Sequence, residues 1–467
     1  MKECLIIIKP YELKDLLEVR IEKQINKHAI AKVIGHIDEA LEDKYVNIAQ
    51  QQDEIAILAK DEEGQEEVLF RGKVNDIRIT TDGYVRKVEI NAISQSYLLD
   101  VKAKTRTFQD EAQNYSAIIG VIEQDYNGAN IYMSVGKGSM TQKLFVQYKE
   151  TDWEFLKRLA SQFHSYIVPE CTKTGIKIYF GPIPNKNPHI LNEIAYKIVR
   201  DVSDYLYKHE NNVKDILETD CIGYEITSRN IYEICDAIQF KDRALFVAKV
   251  VTQLQEGELI HTYLLKSKEG MQEPTTYNEK MIGASLDAKV IDIMNDVVKV
   301  HILVDKKQAK EGAKWFPYST VYSSPDGTGW YCMPEIGDKM RIYFPNEKEQ
   351  DAFAISSVHL EASNNTSRSN PNHKCLSTKY GKCILFKENE LFISNGHGSY
   401  IRLLDDSGIE IVTDKKLKID AIEDIVIHSE EKIIASAPQN IIFEQGSSKI
   451  EVNNDITFTG GEVKIEE

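Results

Sequence analysis

Between Ile409 and Phe443, pairs of apolar residues return every eight positions: Ile409/Ile411, Leu417/Ile419, Ile425/Ile427, Ile433/Ala435 and Ile441/Phe443. The spacing then loosens to Ile450/Val452, Ile456/Phe458 and Val463/Ile465, as the terminal units of repeat arrays do. Residues two apart on an extended chain point to one face, so each octad predicts one short strand and one polar turn. Such a strand cannot bury its apolar stripe alone, and eight residues are too few to build every wall of a solenoid coil from one chain. The simplest closed core adds two further identical chains wound about the same axis. That predicts a homotrimeric, intertwined triple-stranded β-helix with a core of Leu417, Ile419, Ile425, Ile427, Ile433, Ile441, Phe443, Ile450 and Val452. A plain antiparallel meander and one wall of a single-chain β-helix share the same pattern.

The chain's 467 residues exceed what one core holds, so two to four domains are expected. Seventy-three acidic residues against 57 basic ones give a net charge of -16. From Ile409 onward there are thirteen Asp or Glu against six Lys. Nucleic acid and anionic membrane both require basic patches, so neither is expected as an electrostatic partner. Any membrane contact by the C-terminal part would be mechanical. The seven cysteines are scattered without CxxC spacing, which fits a chain made in a reducing cytoplasm. The run Leu5-Ile6-Ile7-Ile8 is too short for a signal peptide, so a chain acting outside the cell is expected to leave by lysis or within a machine.

Residues 1 to about 120 alternate short β-type runs with polar turns: 31–36, 54–58, 68–74, 77–79 and 85–92, with Asp82-Gly83 as a hairpin signal. They predict an antiparallel barrel or sandwich. Thr151 and Glu154 form a capping box ahead of Phe155, Leu156, Leu159, Ala160 and Phe163, an apolar helix face, with Lys157, Arg158 and Gln162 on the polar side. Short strands return from about 200 to 275, and a small closed barrel is predicted over about 281 to 360.

The segment Gln147-Tyr-Lys-Glu-Thr-Asp-Trp-Glu-Phe-Leu-Lys-Arg-Leu-Ala160 resembles the Q-x-x-E-[ST]-D-x-x-F-L-x-R-L signature of the VgrG and phage late-control D family. Phe70-Arg-Gly-Lys-Val and Asn91-Ala-Ile-Ser-Gln-Ser-Tyr-Leu-Leu-Asp100 are similar to that family's hub. Trp315-x-Pro317, Gly329-Trp330 and Pro334-Glu-Ile-Gly337-Asp338, each near a strand, resemble its OB-fold neck. The resemblance implies a mainly β chain in four parts. These are a hub of two β-barrel-like subdomains with a helical insert (1–275), an OB-fold neck (281–360), a linker and junction (361–395) and a β-helix needle (396–467). In the family the hub trimerises into a ring matching the hexameric tail tube. The implied role is a non-enzymatic, membrane-piercing spike at the baseplate of a contractile tail, in a phage, a phage-tail-like bacteriocin or an injection system. Its expected partners are two more copies, tail-tube and baseplate proteins, the target envelope by mechanical contact, and a PAAR-like tip protein on Val463 and Ile465.

The residues offer no catalytic constellation: GxSxG, HExxH and P-loop patterns are absent, and no cofactor is expected. Gly136-Lys-Gly-Ser139 reads as a turn and not a phosphate loop. The eleven histidines show no metal-ligand spacing, and His428 is expected to point outward from the needle. OB-folds also bind single strands and sugars, but the acidic surroundings of Trp315, Trp330 and Tyr331 favour an aromatic core or a trimer contact. Two rivals stand beside the spike. One is a trimeric tail adhesin binding a cell-surface glycan. The other is a polysaccharide-active β-helix, for which Asp405-Asp406 would be the acidic pair.

Overall fold

The computed structural model describes residues 5–48, 54–60, 64–184, 188–191, 195–357, 369–459, 461–462 and 464. The chain divides into two compact units, Met1–Leu360 and Glu361–Glu467. No helix among the described residues is long and apolar enough to cross a membrane.

The first unit opens with β1 (Leu5–Lys9), β2 (Asp15–Gln24), β3 (Ile30–Ile37), α1 (Glu42–Ile48), β4 (Glu54–Lys60), β5 (Glu66–Asp82) and β6 (Val85–Ile93). The Asp82-Gly83 hairpin is present: Asp82 faces Val85 and Gly83 takes a φ of 58°. The two runs expected at 68–74 and 77–79 are one strand, because the polar residues between them form a β-bulge at Val74/Asp76 instead of a turn. A helical insert follows: β7 (Lys104–Phe108), α2 (Tyr115–Gln124), β8 (Asn130–Met133), β9 (Phe145–Glu150), α3 (Asp152–Ser161), β10 (Ile167–Pro169) and β11 (Lys177–Phe180). The second lobe comprises β12 (His189–Ile190), β13 (Tyr196–Arg200), α4 (Val202–Glu210), β14 (Ile222–Ser228), β15 (Ala237–Phe240), β16 (Arg243–Gln255) and β17 (Glu258–Lys266). One sheet runs through both lobes in the order β1-β4-β5-β6-β3-β2-β16-β17-β14-β13, with β15 also on β16.

The lobes repeat one another. Asp82 and Val85 close the β5–β6 hairpin, and Gln255 and Glu258 close β16–β17 with the same two-residue spacing. Each hairpin has its bulge at the same distance from the turn, Val74/Asp76 opposite Ala92 and Asn91, Val247/Lys249 opposite Leu265 and Leu264. β4 sits on β5 as β15 sits on β16: Ile55 faces Gly72, and Ile238 faces Leu245. β3 lies on β6 as β14 lies on β17, and β2 on β3 as β13 on β14. Each lobe packs its own core, around Ile57, Phe70 and Val88 in the first and Ile226, Phe240 and Tyr263 in the second.

The first unit ends in a five-stranded module: β18 (Ser285–Met294), β19 (Val297–Ile302), β20 (Trp315–Pro317), β21 (Lys339–Tyr343) and β22 (Phe353–Ile355), in the order β20-β19-β18-β21-β22. Its two edges meet where Tyr318 bridges Ala354, so the sheet curls on itself around Val300, Phe316 and Ile342.

The second unit begins as an antiparallel meander of β23 (Lys374–Ser377), β24 (Cys383–Phe386), β25 (Glu390–Ser394), β26 (Tyr400–Leu404) and β27 (Gly408–Val412). It finishes with a three-stranded meander, β28 (Ile441–Gln445), β29 (Ser448–Val452) and β30 (Ile456–Thr459). Residues 413–440 lie between them and form no strand within the chain.

Candidate functional site: the α3 joint and the C-terminal array

The signature segment builds a joint. Alternation along β9 sends Phe145 into the core of the helical insert and Leu144 and Val146 into the core of the five-stranded module. α3 starts immediately afterwards under the expected capping box: Thr151 Oγ1 accepts from the Glu154 backbone N–H at 3.1 Å, and Glu154 Oε2 accepts from the Thr151 N–H at 3.0 Å. Trp153, Phe155, Leu156, Leu159 and Ala160 are buried as the periodicity requires.

Arg158 departs from its expected place on the polar face, being only 3% exposed. Its guanidinium donates to Glu150 at 2.9–3.3 Å, to the Val146 carbonyl at 2.8 Å and to Glu349 of the five-stranded module at 2.7 Å. A planar fork with five donors suits this three-way contact, which a lysine cannot reproduce. Burial pushes the Glu150 carboxyl up, partly offset by Arg158. Burial opposes the Arg158 charge, but Glu150 and Glu349 outweigh it and hold the guanidinium protonated.

Asp152, fully buried, is the second node. It accepts from Gln147 Nε2 at 2.9 Å, Tyr126 OH at 2.7 Å, Lys104 Nζ at 2.5 Å and the Arg106 guanidinium. Asp125 takes the other hydrogens of Lys104 and Arg106 at 2.7 and 2.9 Å. Burial raises the Asp125 carboxyl, but those two hydrogen bonds hold it below the usual range. The Q, E, T, D and R positions of the signature therefore fix β9 and α3 against one another, and Arg158 ties both to the five-stranded module. The sequence revealed the cap and the apolar face. Glu349 was beyond it, since that residue lies 191 positions from Arg158.

The neck motif is a supported loop. Gly329 has a φ of 150°, and a Cβ there would lie 2.4 Å from the Tyr322 carbonyl oxygen. Trp330 then donates its N–H to the same carbonyl at 2.8 Å. Pro334 is buried, Gly337 takes a φ of 100°, and Asp338 accepts from the Glu335 N–H at 2.9 Å, closing the turn that feeds β21. Trp330 and Tyr331 are not core residues of the chain: they are 52% and 75% exposed, beside exposed Tyr322 and Val321. Gly136 and Ser139 close a turn, with Gly136 and Gly138 at positive φ.

In the second unit the first meander sets apolar rows opposite one another: Ile384, Ile393, Ile401 and Ile411 in one, Phe386, Leu391, Leu403 and Ile409 in the next. Equal parity puts both rows on one face, where Ile384 and Leu391 are half-buried and Phe386, Ile393, Ile401, Leu403, Ile409 and Ile411 are exposed. Arg402 spans the opposite face, bonding Glu390 at 2.6 Å and Glu410 at 3.2 Å. In the octads Leu417, Ile419, Ile425, Ile427 and Ile433 are all exposed. Ile441 faces Val452 and Phe443 faces Ile450 across β28 and β29, so these four expected core positions share one face of an antiparallel hairpin. Val463 and Ile465 lie outside the described residues. His428 is exposed, and the described residues contain no cluster of three or more His, Cys, Asp or Glu able to hold a metal.

No protein-family profile matches the chain, and no curated protein matches it. Solved structures do. A Francisella PdpA–VgrG complex in its half-lidded state shares 11% identity over 88% of this chain and 88% of that chain, with a TM-score of 0.58. The lidded state of the same complex gives 10% identity over 89% and 80%, and a TM-score of 0.58. The E. coli c3393 protein, described as a type VI secretion component similar to the T4 bacteriophage tail proteins gp27 and gp5, shares 13% identity over 76% of this chain and all of its own, with a TM-score of 0.53. At these identities the likeness establishes a shared fold, mainly β and of the VgrG kind.

Proposed function

We propose that this chain is the central spike at the baseplate of a contractile tail, acting as a homotrimer that joins the tail tube to the tip. The observation that carries this reading is the second unit, whose apolar face and octads stay uncovered in one chain. Two further copies would supply the missing walls and give a fibre hydrogen-bonded around an apolar core, with few soft degrees of freedom. The shared fold supports the order of hub, neck and needle. The α3 joint supplies what a pushed rod requires, a rigid link between the helical insert and the five-stranded module.

The spike is non-enzymatic in this account. Force comes from the contraction of other proteins, and the envelope is breached mechanically. Its partners are tail-tube and baseplate proteins, with a PAAR-like tip protein at Val463 and Ile465, and its place is a virion-like or extracellular contractile particle. Trp330 and Tyr331 then serve as contacts between copies.

Light scattering on the purified chain tests the reading. A mass three times the 53.3 kDa chain is expected, and a stable monomer overturns it. If deleting residues 463–467 leaves capture of a co-expressed tip protein unchanged, the tip assignment fails.

A further inference from the structure

A cleft of about 470 Å³ opens beside α3, between that helix and the segment 273–280 that carries the chain from β17 to the five-stranded module. That is the size of a pocket for a small ligand or a short peptide segment, not of a packing gap. Most of the charges lining it are matched. Arg158 is bonded to Glu150, and Lys280 stands 3.6 Å from Glu154. Lys157 and Glu279 have no ion-pair partner among the described residues, but they are of opposite sign. Glu273 is left over. Its half-buried carboxylate makes no hydrogen bond or ion pair among the described residues. Burial pushes that carboxyl up, and Lys208 and Lys266, which act on it through space, are both bonded to Asp204.

A second unmet group lies beside it. Ser165 is 6% exposed and lines the same cleft, and its hydroxyl has no hydrogen-bond partner among the described residues. The backbone fixes the two together: the Glu273 N–H donates to the His164 carbonyl at 3.2 Å, and His164 Nδ1 lies 3.1 Å from the Glu273 carbonyl oxygen. A hydroxyl and a carboxylate withdrawn from water without partners each cost free energy, which a donor arriving from outside recovers. A guanidinium suits both, since its five N–H donors reach a carboxylate and a neighbouring hydroxyl while its aliphatic stem packs along the cleft wall. The charge of the whole chain agrees. At -16 it draws a basic partner and repels a second copy of itself.

We infer that this cleft is the docking site for an arginine side chain on a basic segment of a partner protein, its guanidinium seated on Glu273 and Ser165. The segment bears on α3 and on the 273–280 connection at once, so the partner engages the molecule at the joint that Arg158 builds. The inference concerns a single chain and does not rest on the spike reading.

The test is isothermal titration calorimetry of the full chain with the peptide acetyl-Gly-Arg-Gly-amide. The expected result is saturable binding of one peptide per chain, weakened about tenfold or more by Glu273→Gln and by a smaller factor by Ser165→Ala. Acetyl-Gly-Gln-Gly-amide should not bind, a comparison that uses the parent chain alone and stands even where a variant does not fold. Tryptophan fluorescence checks the fold of each variant. Lys157→Gln should keep the peptide, because the charge it removes opposes a guanidinium. No binding to the parent chain, whether because another copy closes the cleft or because nothing enters it, overturns the inference. Binding that survives Glu273→Gln undiminished, or that the glutamine peptide matches, overturns it as well.

Discussion

The first lobe and the octad array treat isoleucine in opposite ways. Ile55, Ile57 and Ile90 are fully buried within one chain, whereas Ile425, Ile427 and Ile433 are 54%, 72% and 60% exposed. Both stretches place apolar residues at alternate positions, so the alternation itself does not decide the outcome. Supply of neighbours does. β4 and β6 both pair with β5 and close a core with the rest of their lobe, while residues 413–440 have no strand partner among the described residues. A step of eight does not by itself forbid folding back, since Ile401/Leu403 and Ile409/Ile411 keep it and pair across β26 and β27. The first unit buries its apolar residues in cores of its own, and the octads leave theirs exposed.

The sharpest way to break that contrast is to damage the first unit from inside. Arg158→Ala leaves the Glu150 and Glu349 carboxylates facing each other without their shared cation, a loss of about 3–5 kcal/mol. The three tryptophans, Trp153, Trp315 and Trp330, all lie in this unit, so urea unfolding followed by fluorescence reports on it. The expected loss is the same at every protein concentration. A loss under about 1 kcal/mol would mean that the joint is not buried in solution.

His261 gives the next effect. It is buried in the second lobe with Nδ1 2.8 Å from Thr252 Oγ1, and burial, then the Lys23 charge, lowers its pKa to about 4 from 6.5. The native state resists protonation, so stability is complete above about pH 6.5 and falls as pH drops towards 4, by up to roughly 3 kcal/mol. Comparing the parent chain with His261→Gln by urea unfolding at pH 7 and pH 4.5 isolates this share. Identical slopes for the two chains would refute it. The smallest effect is the cap: Thr151→Ala removes the bond to the Glu154 N–H and should cost about 1 kcal/mol in the same assay. No change would show that α3 is held by its packing alone.

Much of this organisation was legible in the sequence where the signal is local. The capping box, the Asp82-Gly83 hairpin, the turn at Pro334–Asp338 and most strands rest on residues a few positions apart. What escaped was non-local. Arg158 reads as a solvent-facing charge until Glu349 is folded against it. The duplication of the lobes is hidden because a strand's geometry constrains alternation and bulge position but not residue identity. The counterpart of Asp76 is Lys249, and that of Thr252 is Ile79. The merged strand β5 escaped for a related reason, since Asn75-Asp76 suits a bulge as well as a turn. The last octads illustrate the limit of periodicity: Ile441/Phe443 and Ile450/Val452 share one face in a triple helix and in the hairpin formed by β28 and β29 alike.

The most direct test is amide hydrogen exchange on the full chain, read over residues 413–440. This stretch forms no strand within one chain, so any strong protection there must come from other copies. The account predicts exchange slowed to rates comparable with those of β16 and β17, and lost on dilution to a monomer. Exchange as fast as in an unpaired loop, in a chain that is otherwise folded, would contradict it.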